Sequence, residues 1–156
     1  MDRRGFVRLG VGLAAAAAWM PSALRAESIS WISGATSSDE LRYPVPTEDG
    51  VQVDRDNEVI LVRQSEAIAA FALSCPHQRS LLRWREKDGI FRCTKHHSEY
   101  SPLGEYQKGR ATRNMDRLAI RLEGGEVVVT PGTVFHSDEN AAGWSDAVAN
   151  MDGDTK

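Results

Sequence analysis

Cys75-Pro76-His77 and Cys93-Thr94-Lys95-His96 bring metal-binding side chains together in two short packets, with fifteen residues between His77 and Cys93. The two cysteines are the only ones in the chain of 156 residues, and each has a histidine beside it. Two thiolates and two imidazoles can close a tetrahedron around one zinc ion. They can also hold a dinuclear iron–sulfur cluster, with both thiolates on one iron and both imidazoles on the other. Structural zinc sites more often pair like ligands, as C-x₂₋₄-C with H-x₃₋₅-H. Each packet here pairs unlike ligands, which favours the cluster. Neutral imidazoles in place of anionic thiolates make such a cluster less negative and raise its reduction potential. The chemistry indicated is one-electron transfer. Two cysteines cannot make a disulfide framework, and if both bind metal there is no disulfide at all.

The elements that must position these packets read as short strands. Val51–Asp54 is followed by two apolar runs, 58–63 and 66–73, with a turn expected at Gln64-Ser65. Asp88-Gly89 turns into Ile90–Arg92. Leu118–Leu122 alternates apolar and polar residues, and Gly124-Gly125 turns into Val127–Thr130. Helical periodicity is scarce, so the class is all-β and antiparallel. Residues 27–44 read as a strap with little structure of its own. Residues 132–156 read as an acidic tail with a short helix expected over 146–151. His136, in that tail, is expected to be ordinary surface.

At the other end, Arg3-Arg4 precedes a weakly apolar run from Leu9 to Met20 and then Leu24-Arg25-Ala26. This is the layout of a twin-arginine signal, with cleavage expected after Ala26. The alternative is a retained anchor, although the Ala- and Gly-rich segment is shorter than the roughly 20 clearly apolar residues of a spanning helix. Twin-arginine export carries folded proteins and suits a cofactor inserted before export. The full chain has a formal net charge of −3; without residues 1–26 it holds 15 basic against 21 acidic residues. That balance does not suit nucleic acid. Within 75–97 the sign reverses: Arg79, Arg83, Arg85, Lys87, Arg92 and Lys95 face only Glu86 and Asp88.

The paired C-x-H and C-x-x-H packets resemble those of Rieske [2Fe–2S] proteins, over about residues 45–131. The resemblance implies a Rieske-type antiparallel β sandwich or barrel with a small cluster-binding subdomain, whose loops are 75–80 and 93–104. It implies one [2Fe–2S] cluster, with Cys75 and Cys93 on the buried iron and His77 and His96 on the outer iron. Ser98 and Tyr100 match the high-potential branch of the family. There the Ser hydroxyl donates to a bridging sulfide and the Tyr hydroxyl to the sulfur of the first-loop cysteine. Such bonds favour the reduced cluster. His97 is expected at the rim and not as a ligand. Three positions depart from that branch. Ser80 and Lys95 stand where a disulfide joins the loops, Gln78 where an apolar residue shields the cluster, and Gly109-Arg110-Ala111 where Gly-Pro-Ala packs over it.

The function expected is periplasmic one-electron transfer, as a small carrier or the small subunit of an oxidoreductase. The partner would be a cytochrome or an oxidoreductase large subunit. The alternatives are an anchored quinol-oxidising subunit of a cytochrome bc-type complex, and a ferredoxin serving an oxygenase. Membrane association is expected only if the signal is retained.

Overall fold

The computed structural model describes residues 40–151. The signal and most of the strap lie outside the described residues.

Two antiparallel sheets make up the fold. The larger is built on a hairpin of β3 (Val59–Gln64) and β4 (Ala67–Ala72). Its side chains alternate between two cores. Ile60, Val62, Ala69 and Phe71 enter one, and Val59, Leu61, Ile68 and Ala70 enter the other. A strand buried on both faces needs apolar residues at every position, so these runs do not alternate in sequence. The turn falls one residue later than expected: Gln64 pairs with Ala67, and Ser65 takes the left-handed conformation at φ 56°.

Around this hairpin the order is β1 (Leu41–Pro44), β10 (Glu126–Phe135), β9 (Arg117–Glu123), β4, β3 and β2 (Gly50–Asp54). Gly124 and Gly125 both have positive φ, as the tight β9–β10 turn requires. β10 is longer than its apolar core suggests. Its register breaks between Thr130 and Val134 and then resumes opposite Leu118 and Arg117. Pro131, which has no N–H to give a ladder, sits in that irregularity.

Both ends of the described chain differ from the sequence expectation. The end of the strap is a strand of the main sheet, with Leu41 opposite Val129. Residues 132–151 are folded against the domain. Helix α1 (Ala141–Asp146) begins at Asn140, whose side chain accepts from the Gly143 N–H at 2.9 Å. That cap starts the helix five residues earlier than the expected 146–151. β11 (Ala149–Asn150) then pairs with β4 at Ile68 and Ala67.

The smaller sheet runs β5 (Leu82–Arg85), β6 (Ile90–Cys93), β7 (Glu99–Tyr100) and β8 (Tyr106–Lys108). One core joins it to the larger sheet. Leu82, Phe91, Cys93 and Tyr100 pack in the same cluster as Ile60, Val62, Ala69, Phe71 and Met115. Gly104 permits the closest approach: a Cβ there would lie 2.4 Å from the Phe71 ring.

Candidate metal centre

Both packets lie on loops of the smaller sheet, the first leading into β5 and the second joining β6 to β7. The loops share a backbone plan. The Cys75 N–H donates to the Ser80 carbonyl at 2.7 Å, and the Cys93 N–H to the Ser98 carbonyl at 2.8 Å. The Arg79 N–H returns to the Cys75 carbonyl at 2.8 Å, as the His97 N–H does to the Cys93 carbonyl at 3.2 Å. Arg79 and His97 are both left-handed, at φ 51° and 55°. This turn costs a side-chain-bearing residue some strain, held by the bonds around it.

The loops place unlike ligands at different depths. Cys75 and Cys93 are 0% and 1% exposed, while His77 and His96 are half-buried. The histidines face each other, with Nδ1 atoms 3.2 Å apart and ring centroids 4.9 Å apart. The two thiols lie close enough for each to affect the other's ionisation. Among the described residues, no three His, Cys, Asp or Glu side chains gather closely enough to hold a single metal ion. The geometry is a deep sulfur pair and a shallow nitrogen pair, which suits a dinuclear cluster better than one tetrahedral zinc.

The electrostatics match this depth. Burial pushes the Cys75 thiol up, partly countered by the Tyr100 hydroxyl. Burial also opposes ionisation of Cys93, but the backbone N–H groups of His96 and Lys95, together with Cys75 and Ser80, offset it and hold that thiol below its ordinary value. Burial, then the neighbouring His77, Arg110, Lys95 and His97, push His96 down. A neutral imidazole is the form that binds metal.

Two hydroxyls close the site. Tyr100, fully buried, has its Oη 3.3 Å from the Cys75 Sγ, and burial raises its pKa beyond the ordinary phenol range. Ser98, also fully buried, accepts from the N–H groups of Arg110 at 3.1 Å and Ala111 at 3.0 Å. A hydroxyl has two acceptor positions and one proton. With both acceptor positions filled from the 109–111 loop, that proton is left free to donate. Gly109 (φ 116°) lets the loop approach, since a Cβ there would come 2.5 Å from the Ser98 Cα.

These residues fit an iron–sulfur cluster, and the family model that matches the chain is the Rieske [2Fe-2S] domain, over residues 35–131. The chain belongs to the Rieske family. A Rieske domain binds one [2Fe–2S] cluster, whose chemistry is one-electron transfer. Curated relatives include the cytochrome b6-f complex iron-sulfur subunits of Chlorobaculum thiosulfatiphilum and of Synechococcus sp. (strain JA-3-3Ab). The first is 25% identical over 75 residues, which is 48% of this chain and 41% of the relative. The second is 26% identical over 73 residues, 46% of this chain and 42% of the relative. The chain thus spans less than half the length of these Rieske relatives. Among solved structures, the cyanobacterial plasma membrane Rieske protein PetC3 from Synechocystis PCC 6803 is similar with a TM-score of 0.42 and 24% identity, covering 63% of this chain and 92% of that one.

Other residues around the Rieske site were not apparent from spacing. Arg117 is 4% exposed and lies 3.7 Å over the Trp144 ring. It donates to the carbonyls of Trp144 at 2.7 Å and Leu103 at 3.0 Å, tying the second cluster loop to α1. Burial pushes its guanidinium down to about 10, so it remains charged at neutral pH. Trp144 in turn donates from Nε1 to the Met115 carbonyl at 2.7 Å. His136 is not ordinary surface: its Nδ1 lies 2.9 Å from Asp116 Oδ1, and Arg113 binds the same carboxylate. Bonds made across such sequence distances leave no spacing signature. Arg113, Asp116 and Arg117 do stand together in one polar run, Arg110–Arg117, and that density was a usable signal.

Proposed function

We propose that this Rieske protein is an exported one-electron carrier, acting as a small electron-transfer protein or as the small subunit of an oxidoreductase. In this reading Cys75 and Cys93 hold the inner iron and His77 and His96 the outer iron. The single observation that carries it is the half-buried His77–His96 pair, with Nδ1 atoms 3.2 Å apart, above two buried cysteines. The bound cluster supplies a site that gains and loses one electron.

The protein's own groups do the rest. The buried thiols and the apolar residues around them keep water from the inner half. The half-buried imidazoles set the outer half close to solvent, where a partner can approach. The Tyr100 hydroxyl lies against Cys75 Sγ and the Ser98 hydroxyl keeps a proton free to donate; donated to the cluster's sulfurs, both would favour the more negative, reduced state. Each hydrogen bond to a charged group is worth about 1.5–3 kcal/mol. The arrangement therefore supports a potential in the upper part of the Rieske range. The twin-arginine pattern at Arg3-Arg4 supports a periplasmic location. No helix among the described residues is long and apolar enough to cross a membrane.

A second reading, an anchored quinol-oxidising subunit, is favoured by the cytochrome b6-f subunits among the relatives. Against it stand Arg110 in the covering loop and the missing disulfide.

The test is to reduce the purified protein anaerobically and record its EPR and absorption spectra, then to fractionate the native cells. A Rieske spectrum with mature protein starting at Glu27 in the periplasm is expected. A colourless zinc protein would overturn the carrier reading, and firm membrane retention would favour the quinol reading.

A further inference from the structure

The outer face of the β5–β6 hairpin carries positive charge that the fold itself leaves uncompensated. Leu82 and Trp84 of β5 turn inward with Phe91 and Cys93 of β6, so Arg83 and Arg85 turn outward with Arg92. The register sets Arg83 directly opposite Arg92. Like charges in that position are destabilising. The carboxylates nearby do not cancel them. Asp88 meets Arg85 at 3.5 Å at an exposed position. Glu99 approaches Arg92 Nε only to 3.8 Å and is shared with Lys108 at 3.1 Å. Arg83 has no ion pair among the described residues, and the buried Arg92 Nε has no hydrogen-bond partner there. The three arginines line one open pocket of about 300 Å³ together with Cys93, Thr94 and His97.

We infer that this face docks an acidic patch of the redox-partner protein, with partner carboxylates seated among Arg83, Arg85 and Arg92. Charge complementarity selects the occupant. The site is positive on a chain of net charge −3, so it orients as well as attracts. Because Cys93 and His97 line the same pocket, a partner seated there lies against the second cluster loop. The cluster that the two loops would hold would, when reduced, give one electron to the partner's oxidised metal centre, with no bond broken. The inference rests on the carrier reading and adds the chemistry of the partner surface.

The experiment mixes the reduced holoprotein with an acidic or a basic ferric c-type cytochrome over a range of salt concentrations and follows haem reduction by stopped flow. The acidic cytochrome should react faster, and its rate should fall as salt rises. Arg83→Gln with Arg92→Gln should slow it by about tenfold at low salt. Arg42→Gln with Arg55→Gln, on β1 and in the turn after β2, should leave it unchanged. Arg83→Gln alone removes a side chain with no ion pair, so it tests the site without disturbing the fold. A wild-type rate in either hairpin variant with an intact cluster spectrum, or a preference for the basic cytochrome, overturns the docking inference. Displacement of the cytochrome by inorganic phosphate at constant ionic strength would also overturn it, by reassigning the site to a small oxyanion. Failure of the carrier reading appears separately, as a wild-type protein with no cluster signal.

Discussion

Loops 75–80 and 93–98 repeat one backbone plan, yet they are supported differently. In each, a cysteine N–H is tied to a serine carbonyl five residues on, and a left-handed residue precedes that serine. The second loop is braced from behind. Its serine is fully buried and takes two N–H bonds from the 109–111 loop, and Arg117 fixes the Leu103 carbonyl that follows it. The first loop has Gln78 and Arg79 exposed. It borders a polar cavity of about 480 Å³ shared with Arg113, Asp116 and His136. It leans on the second loop instead. Tyr100 reaches Cys75, and Thr94 donates to the Leu81 carbonyl from both N and Oγ1, each at 3.0 Å. These bonds do the work that a disulfide between positions 80 and 95 would do covalently. The comparison teaches that one loop is a platform and the other a lid held down by it.

The largest effects should ignore that difference. Cys75→Ser, His77→Ala, Cys93→Ser and His96→Ala should each abolish the cluster signal in EPR, because each leaves an iron under-coordinated. His97→Ala should retain it. Loss with His97→Ala but not with His96→Ala would reverse the ligand assignment.

Next come changes to the platform's foundation. Trp144→Ala removes a 7%-exposed indole that stacks on Arg117 and binds the Met115 carbonyl. Unfolding by urea should show a loss of about 3–5 kcal/mol. A neutral result would mean that residues 132–151 contribute little to the fold.

Gly109→Ala should act on the second loop alone. The added Cβ meets the Ser98 backbone at 2.5 Å in a left-handed conformation. A stability loss of about 1–3 kcal/mol is expected, with faster bleaching of the cluster. Gln78→Ala, at an exposed first-loop position, should change neither.

The smallest effects should divide the loops most sharply. On the proposed reading, Tyr100→Phe and Ser98→Ala each remove a donor that would favour reduction. Given that about 1.4 kcal/mol corresponds to roughly 59 mV for one electron, protein-film voltammetry should show each lowering the potential by tens of millivolts. Ser80→Ala, in the equivalent place on the first loop, should shift it less, since Ser80 is only half-buried. Equal shifts for the two serines would erase the distinction between platform and lid.

The local chemistry of this protein was written in the chain. The C-x-H and C-x-x-H packets set one thiol and one imidazole within a few residues of each other in each loop, and the antiparallel hairpins announce themselves through apolar runs and Gly124-Gly125. These are properties of short segments, where covalent spacing fixes what can meet. The tertiary structure alone decided how the packets are supported. It brought Arg110 and Ala111 onto Ser98, twelve and thirteen residues away, and Trp144 onto Arg117, and it joined His136 to Asp116. It also made residues 41–44 a strand, moved the helix expected in the tail to 141–146, and made 149–150 a strand of the domain. Such partners meet only when both sheets close on a shared core. A buried arginine is tolerable only once carbonyls and an aromatic ring have replaced its water.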